Sequence, residues 1–130
     1  MISRFNYNAV MLLVVGLFVV SLAPAIAGTS PAMKKMATIM YRLKHFPSPQ
    51  GKEELKQIID NSATTKNEKV LATAMLNLQH HAMESDKVKL KVIMDDKKAS
   101  ADERELAGII YNLNHRPTDE DKTRLTKMMK

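Results

Sequence analysis

Apolar residues recur with a helical period in three separate stretches of the chain. The first stretch contains Met36, Ile39, Met40 and Leu43, which are spaced i, i+3, i+4 and i+7. Their counterparts are Leu71, Ala74, Met75, Leu78 and Leu106, Ile109, Ile110, Leu113. This spacing places the side chains on one face of a helix. The pattern predicts helices over residues 31–45, 66–80 and 101–115.

Three further stretches have a narrower apolar face, and each follows one of the first three. Their apolar residues are Leu55, Ile58, Ile59; Leu90, Ile93, Met94; and Leu125, Met128, Met129. They predict helices over residues 49–60, 86–95 and 119–129. Only the middle one adds Val88 and Val92, which predicts neighbours on both of its sides. No stretch shows the strict alternation of a half-buried strand, so the chain is predicted to be all-α.

The six predicted helices form three copies of one 35-residue unit, which span residues 30–64, 65–99 and 100–130. His45, His80 and His115 are 35 residues apart, and so are the predicted helix-capping residues Ser30, Thr65 and Ser100. A fixed period of this length indicates supersecondary units packed side by side. We therefore expect three helix-turn-helix hairpins stacked as a short α/α array of the right-handed type.

Residue detail within the unit adds a family resemblance. In the first and third units a tyrosine, Tyr41 or Tyr111, is followed two residues later by a leucine. With the period and the hairpin layout, this resembles the tetratricopeptide class of helical repeats over nearly all of residues 28–130. The small residue that this family has next is replaced by Lys44, Gln79 and Asn114. The resemblance implies a scaffold that binds a protein or peptide partner.

Residues 1–27 have the three parts of a secretory signal peptide. Arg4 provides a positive charge, Ala9 to Leu22 is almost wholly apolar, and Ala25-Ile26-Ala27 provides small residues at the cleavage site. The apolar run is shorter than the roughly 20 residues of a spanning helix. We therefore expect cleavage, export to the periplasm or beyond, and no stable membrane anchor.

The remaining chain of one domain, residues 28–130, lacks cysteine and is mildly basic. Removing Arg4 lowers the formal net charge from +6 to +5. Without disulfides, stability must come from packed apolar surface. The excess of positive charge favours an acidic partner. Nucleic acid is not expected as a partner, because no aromatic residues interleave the basic ones.

The basic residues near the helix ends are candidates for partner binding. Lys52, Lys87 and Lys122 recur near the start of each second helix, where a cation opposes the helix dipole. An unfavourable charge at the same position of all three units suggests a row of lysines that faces a ligand. Arg42 and Lys44 would belong to the same binding surface. A shared origin of the three units in one ancestor, with the lysines on a solvated face, explains the recurrence as well.

Histidine and methionine suggest a metal site as an alternative. The chain has ten Met; outside the predicted core the candidate ligands are His80, His81 and Met83, together with Met33. For His45, His80 and His115 we favour a structural role at the last turn of each helix, where cations are stabilised. In a stack their spacing would be on the order of 10 Å, too far to share one ion.

Catalytic patterns are missing from the sequence. It has no glycine-rich phosphate loop, no His-Glu-x-x-His motif and no nucleophile elbow. The main hypothesis therefore has no catalytic residue and no cofactor. It is an exported, non-catalytic repeat module that binds protein or peptide partners in the cell envelope, as a scaffold or folding helper. The alternative hypothesis is a copper-type metal-binding protein.

Overall fold

A computed structural model describes residues 28–130, and the predicted signal peptide, residues 1–27, lies outside the described residues. Within this range the chain forms α1 (Pro31–Tyr41), α2 (Pro49–Asp60), α3 (Lys66–Leu76), α4 (Glu84–Asp95), α5 (Ala101–Tyr111) and α6 (Asp119–Met128). The only β-type pairing in residues 28–130 consists of two isolated bridges. The all-α prediction is confirmed. None of these helices has the length and apolar character needed to cross a membrane.

The helix starts follow the capping residues that recur along the sequence. Side chains of Thr65 and Ser100 accept hydrogen bonds from the backbone N–H groups of Glu68 and Glu103, whose carboxylates accept in return from the capping residues. Each pair satisfies two N–H groups that a helix start otherwise leaves free. Helix α4 begins two residues earlier than predicted. Its N-cap residue is Met83, which has no side-chain oxygen, so no capping signal in the sequence marks this start.

The first helix of each unit ends four residues earlier than the periodicity predicts. The N–H groups of Leu43, Leu78 and Leu113 donate to carbonyls three residues back, those of Met40, Met75 and Ile110. Bonds of this kind tighten and end an α-helix. The three leucines then lie buried beneath a short turn, so their apolar spacing reflects the core and not a continuing helix.

Helices α1, α3 and α5 pack on one another as an inner layer of parallel helices. At their N-terminal end Ser30 donates to Glu68, and Thr65 donates to Glu103 over 3.5 Å, so the capping residues of successive units meet. At the other end the turns after the three helices meet. Residues on the inner faces are fully buried, among them Met36, Leu71 and Leu106 at one repeat position.

Each second helix packs mainly on the first helix of the next unit. Helix α2 contacts α3, α4 contacts α5, and α6 contacts α1. The last of these contacts differs from the predicted end-to-end stack, in which α6 and α1 would lie at opposite ends. Lys34 Nζ donates to the carbonyl oxygen of Lys130 over 2.8 Å, and Leu125 is fully buried. The three hairpins therefore close on themselves around a pseudo-threefold axis.

Closure also corrects the expectation for Val88 and Val92. Their side chains are 68% and 66% exposed, so α4 is not covered on a second side. In a closed arrangement all three outer helices have one inner-facing stripe and one solvent-facing side. The middle unit therefore has no additional neighbour to bury these valines.

The small residues Ala37, Ala72 and Ala107 are fully buried at equivalent positions of the three inner helices. Their size lets the helices approach closely, so a larger side chain should force them apart. We expect Ala72→Leu to cost about 1–3 kcal/mol of unfolding free energy. For a domain near 100 residues, each 1 kcal/mol lowers the melting temperature by roughly 4–8 °C. Thermal melts followed by circular dichroism measure this change.

The matched control is Val92→Ala, because Val92 is an exposed helical residue. This variant should change the unfolding free energy by less than about 0.5 kcal/mol. A parent-like melt for Ala72→Leu, or a larger loss for Val92→Ala, would contradict the arrangement of inner and outer faces.

Candidate metal centre

Three turns, one from each unit, meet where the inner helices end. Each turn has a histidine at its tip, namely His45, His80 or His115. Gln79 and His81 pair across the second tip, and Asn114 and Arg116 pair across the third. Buried Leu43, Leu78 and Leu113 lie at the base of the turns. The tips are thereby fixed to the end of the core while the histidine rings remain exposed.

The backbones of the three tips are hydrogen-bonded to one another. The His80 N–H donates to the carbonyl oxygen of His45 over 3.0 Å, and the His115 N–H donates to that of His80 over 2.8 Å. Neither hydrogen bond belongs to a helix or to a regular strand. They hold the three histidines at a fixed separation that does not depend on the side chains.

His80 and His115 adopt a strained backbone conformation, with φ of 68° and 62°. Among the described residues they are the only non-glycine residues with positive φ. This conformation costs an L-residue roughly 1–2 kcal/mol, and glycine would adopt it freely. Strained residues of this kind cluster at binding and catalytic sites. The presence of histidine at both tips therefore favours a role for its side chain.

The three imidazole rings form a compact cluster, the histidine triad of His45, His80 and His115. Their centroids are 5.0 Å apart for His45 and His80, 5.6 Å for His45 and His115, and 4.9 Å for His80 and His115. One nitrogen from each ring lies within 4.8 Å of the other two. Ligand atoms of a tetrahedral zinc ion lie about 3.3 Å apart, given Zn–N bonds near 2.0–2.1 Å. Small rotations of the rings would therefore bring the three nitrogens to the separation that one zinc ion requires.

Two nitrogens of the triad are already closer than that. The Nδ1 atoms of His80 and His115 are 2.9 Å apart. At this distance one ring donates its N–H to the bare nitrogen of the other, which requires at least one neutral ring. The two nitrogens thus point at each other, and a bound ion would replace this hydrogen bond. Neutral imidazoles are ligands that zinc, copper and nickel ions accept.

The dipoles of the three inner helices favour a cation at the triad. Helices α1, α3 and α5 all direct their C-terminal ends, with their partial negative charge, toward the triad. The acidic residues Glu68, Asp102 and Glu103 lie at the opposite, N-terminal end, where the dipoles are positive. Carboxylates also lie at the triad end, because α4 and α6 begin there with Glu84 and Asp86, and with Asp119, Glu120 and Asp121, in their first turns.

The expectation that the repeated histidines lie on the order of 10 Å apart is wrong. That spacing holds for equivalent residues of helices stacked side by side. Here the chain leaves each helix at Tyr41, Leu76 or Tyr111, and the following turn reaches inward to the axis. The structural role predicted for these histidines, at the last turn of each helix, is wrong for the same reason. The residues at the helix ends are Arg42, Asn77 and Asn112.

The predicted metal ligands His80, His81 and Met83 lie near one another but are not equivalent. His80 belongs to the triad. His81 Nδ1 is 3.2 Å from the carbonyl oxygen of Leu113, and its ring centroid is 5.4 Å from that of His115. Met83 is 51% exposed and lines a groove together with His80. His45 and His115, which sequence reasoning set aside, complete the cluster instead.

The recurring lysines each lie over an aromatic ring. Lys87 Nζ lies 5.8 Å from the centroid of the Tyr111 ring, and Lys122 Nζ lies 5.8 Å from that of Tyr41. Each of these contacts joins one unit to the next, and Lys87 also pairs with Glu84 over 2.8 Å. Arg42 caps α1, and Lys44 is exposed beside His45. Binding of an acidic partner by these residues and Lys52 stays a prediction.

Comparison with protein-family models, with curated proteins and with solved structures finds no match to this chain. The resemblance to tetratricopeptide repeats therefore stays a prediction.

The triad makes the stability of the metal-free protein dependent on pH. Desolvation beside the neighbouring rings, and then repulsion from charge on His80, His81 and His45, lower the pKa of His115 from its ordinary value of 6.5. The unfolded chain then takes up a proton at higher pH than the folded chain, so protonation favours unfolding. The contribution of neutral His115 is fully present above pH 6.5 and is lost as the pH falls through the folded pKa.

We therefore expect the melting temperature of the metal-free protein to fall between about pH 7 and pH 5, a range above the titration of most carboxylates. The matched variant is His115→Asn, because asparagine also tolerates positive φ. Its melting temperature should depend less on pH in this range. Melts in the presence of a chelator measure both profiles, and identical slopes would show that His115 is not responsible.

Proposed function

We propose that the protein binds one divalent transition-metal ion, of the zinc or copper class, through His45, His80 and His115. The observation that carries this proposal is the convergence of three exposed imidazoles, each from a different unit, with nitrogens within 4.8 Å of one another. Three histidines are a known ligand set for zinc, and they leave a fourth position free.

Three features of the chain support this proposal over a structural role. The rings are exposed, so they contribute little to the core. Two of the three residues adopt a backbone conformation that glycine would adopt without strain. Backbone hydrogen bonds between the tips hold the three histidines together without any contribution from their side chains. A strained cluster with little packing benefit is better explained by a ligand.

The proposal retains the non-catalytic and exported character that the sequence predicts. It moves the metal site from His80, His81 and Met83 to the triad, with His80 common to both. The ion would bind at the surface of a rigid core, so the protein would hold or carry the metal without a large change of shape. It would therefore act as a metal-binding protein of the cell envelope.

Binding of a protein or peptide partner is a second proposal, favoured by a different surface. Val88 and Val92 are one turn apart and exposed on α4, and the neighbouring Lys89 and Lys91 are exposed as well. An apolar strip between cations suits an acidic partner that also has apolar side chains. This surface belongs to α4 and does not include the histidine triad.

Isothermal titration with Zn²⁺ and with Cu²⁺ tests the metal proposal. We expect a stoichiometry of one ion per chain. Replacing a residue that only supports a ligand typically costs 10–100-fold in metal affinity, so His45→Ala should cost about 100-fold or more. His80→Gly and His115→Gly should have the same effect without lowering the melting temperature of the metal-free protein, because glycine suits the positive φ.

The matched controls are His81→Ala and Met83→Leu, which should change the affinity by less than about tenfold. Loss of binding in His81→Ala with parent-like binding in His45→Ala would contradict the triad. That result would favour the site predicted from the sequence.

A further inference from the structure

The three units are not identical, and their differences concentrate at one place. A groove of about 480 Å³ is lined by Phe46, Lys52, Leu76, Asn77, Leu78, Gln79, His80 and Met83. His80 belongs both to this groove and to the histidine triad. The groove therefore opens directly beside the proposed ion.

The groove exists because Leu76 occupies a position where the other units have tyrosine. In those units Tyr41 and Tyr111 lie beneath the lysine of the preceding unit, Lys122 or Lys87. The equivalent lysine for Leu76 is Lys52, which lies instead over the ring of Phe46 at 5.7 Å. The shorter side chain of Leu76 leaves the volume of a ring unfilled.

Two further departures from the repeat line the same groove. Met83 stands where the other units have the capping residues Ser48 and Thr118, and α4 has no side-chain cap as a result. Phe46 stands where the other units have His81 and Arg116. Both side chains are more than half exposed. The second unit thus lacks a helix cap, and the first unit exposes an aromatic ring at the groove.

The chemistry of the lining defines the ligand. Phe46, Leu76 and Met83 provide an apolar wall, and Lys52 is the one charged side chain among the lining residues. The volume is in the range of small-molecule sites. An ion held by three histidines has a free coordination position, for which a carboxylate oxygen is a common ligand. The groove therefore combines a positive charge, an apolar wall and a neighbouring metal.

We infer that the groove binds a small organic carboxylate with an apolar group, as the external ligand of the ion in the histidine triad. This inference rests on the proposed metal function. The apolar group lies against Phe46, Leu76 and Met83, and the carboxylate is attracted by Lys52 and by the ion. The bound metal and the carboxylate therefore each increase the affinity of the other.

The test uses 3-phenylpropionate as the probe, followed by two-dimensional ¹H–¹⁵N NMR on the zinc-loaded protein. The probe should shift the backbone amides of Asn77, Gln79 and His80. Its neutral amide and acetate should bind at least about tenfold more weakly, because one lacks the charge and the other lacks the apolar group. Removing zinc with a chelator should lower the affinity for the probe by about fivefold or more.

Leu76→Tyr is the decisive variant, because it gives the second unit the residue that the other two already have. We expect this variant to fold normally, to bind zinc with the parent affinity, and to show no binding of 3-phenylpropionate. Lys52→Gln should lower the affinity for the probe by about tenfold, whereas the equivalent replacement Lys87→Gln should leave that affinity unchanged.

Parent-like probe binding in Leu76→Tyr, equal binding of the acid and its amide, or equal binding with and without zinc would each overturn the inference. Those results leave the metal function standing, since they are read on protein that has taken up zinc. Absence of zinc uptake in the parent protein would instead overturn the metal function, and the inference with it.

Discussion

Packing of α6 against α1 is the contact on which the rest of the structure depends. It joins the last helix of the third unit to the first helix of the first unit, and so gives every unit the same two neighbours. With this contact, α1, α3 and α5 lie parallel around one axis and end at the same level. Without it, the hairpins would stack in a row and their histidines would be spread along a surface. The geometry of the candidate site is therefore a consequence of closure.

Closure gives the layer of inner helices, α1, α3 and α5, two chemically different ends. Capping hydroxyls and carboxylates meet at the N-terminal end, where the helix dipoles favour negative charge. The three turns meet at the C-terminal end, where the dipoles favour a cation. The bonds from His80 to His45 and from His115 to His80 follow this symmetry, and the bond from His45 to His115 that would complete the ring is not formed. That gap marks where the first and third units meet.

Much of the fold could be predicted from the sequence because it depends on local signals. Ser30, Thr65 and Ser100 mark helix starts through capping, and the buried alanines mark the inner faces. The helix ends could not be found from periodicity, because Leu43, Leu78 and Leu113 are buried in turns. Closure leaves no local signal, since the same period suits an open stack. Predicting the site required both the helix ends and the closure, although a histidine at the same position of each repeat was a usable sign.

The central claim is that one metal ion is shared by histidines from all three units. Its most direct measurement is a crystal structure of the zinc-loaded protein, with anomalous scattering recorded at the zinc absorption edge. The account predicts one anomalous peak on the pseudo-threefold axis, bonded to His45, His80 and His115 at about 2.0–2.1 Å. A zinc ion held elsewhere, or three histidines on the order of 10 Å apart along an open stack, would contradict it.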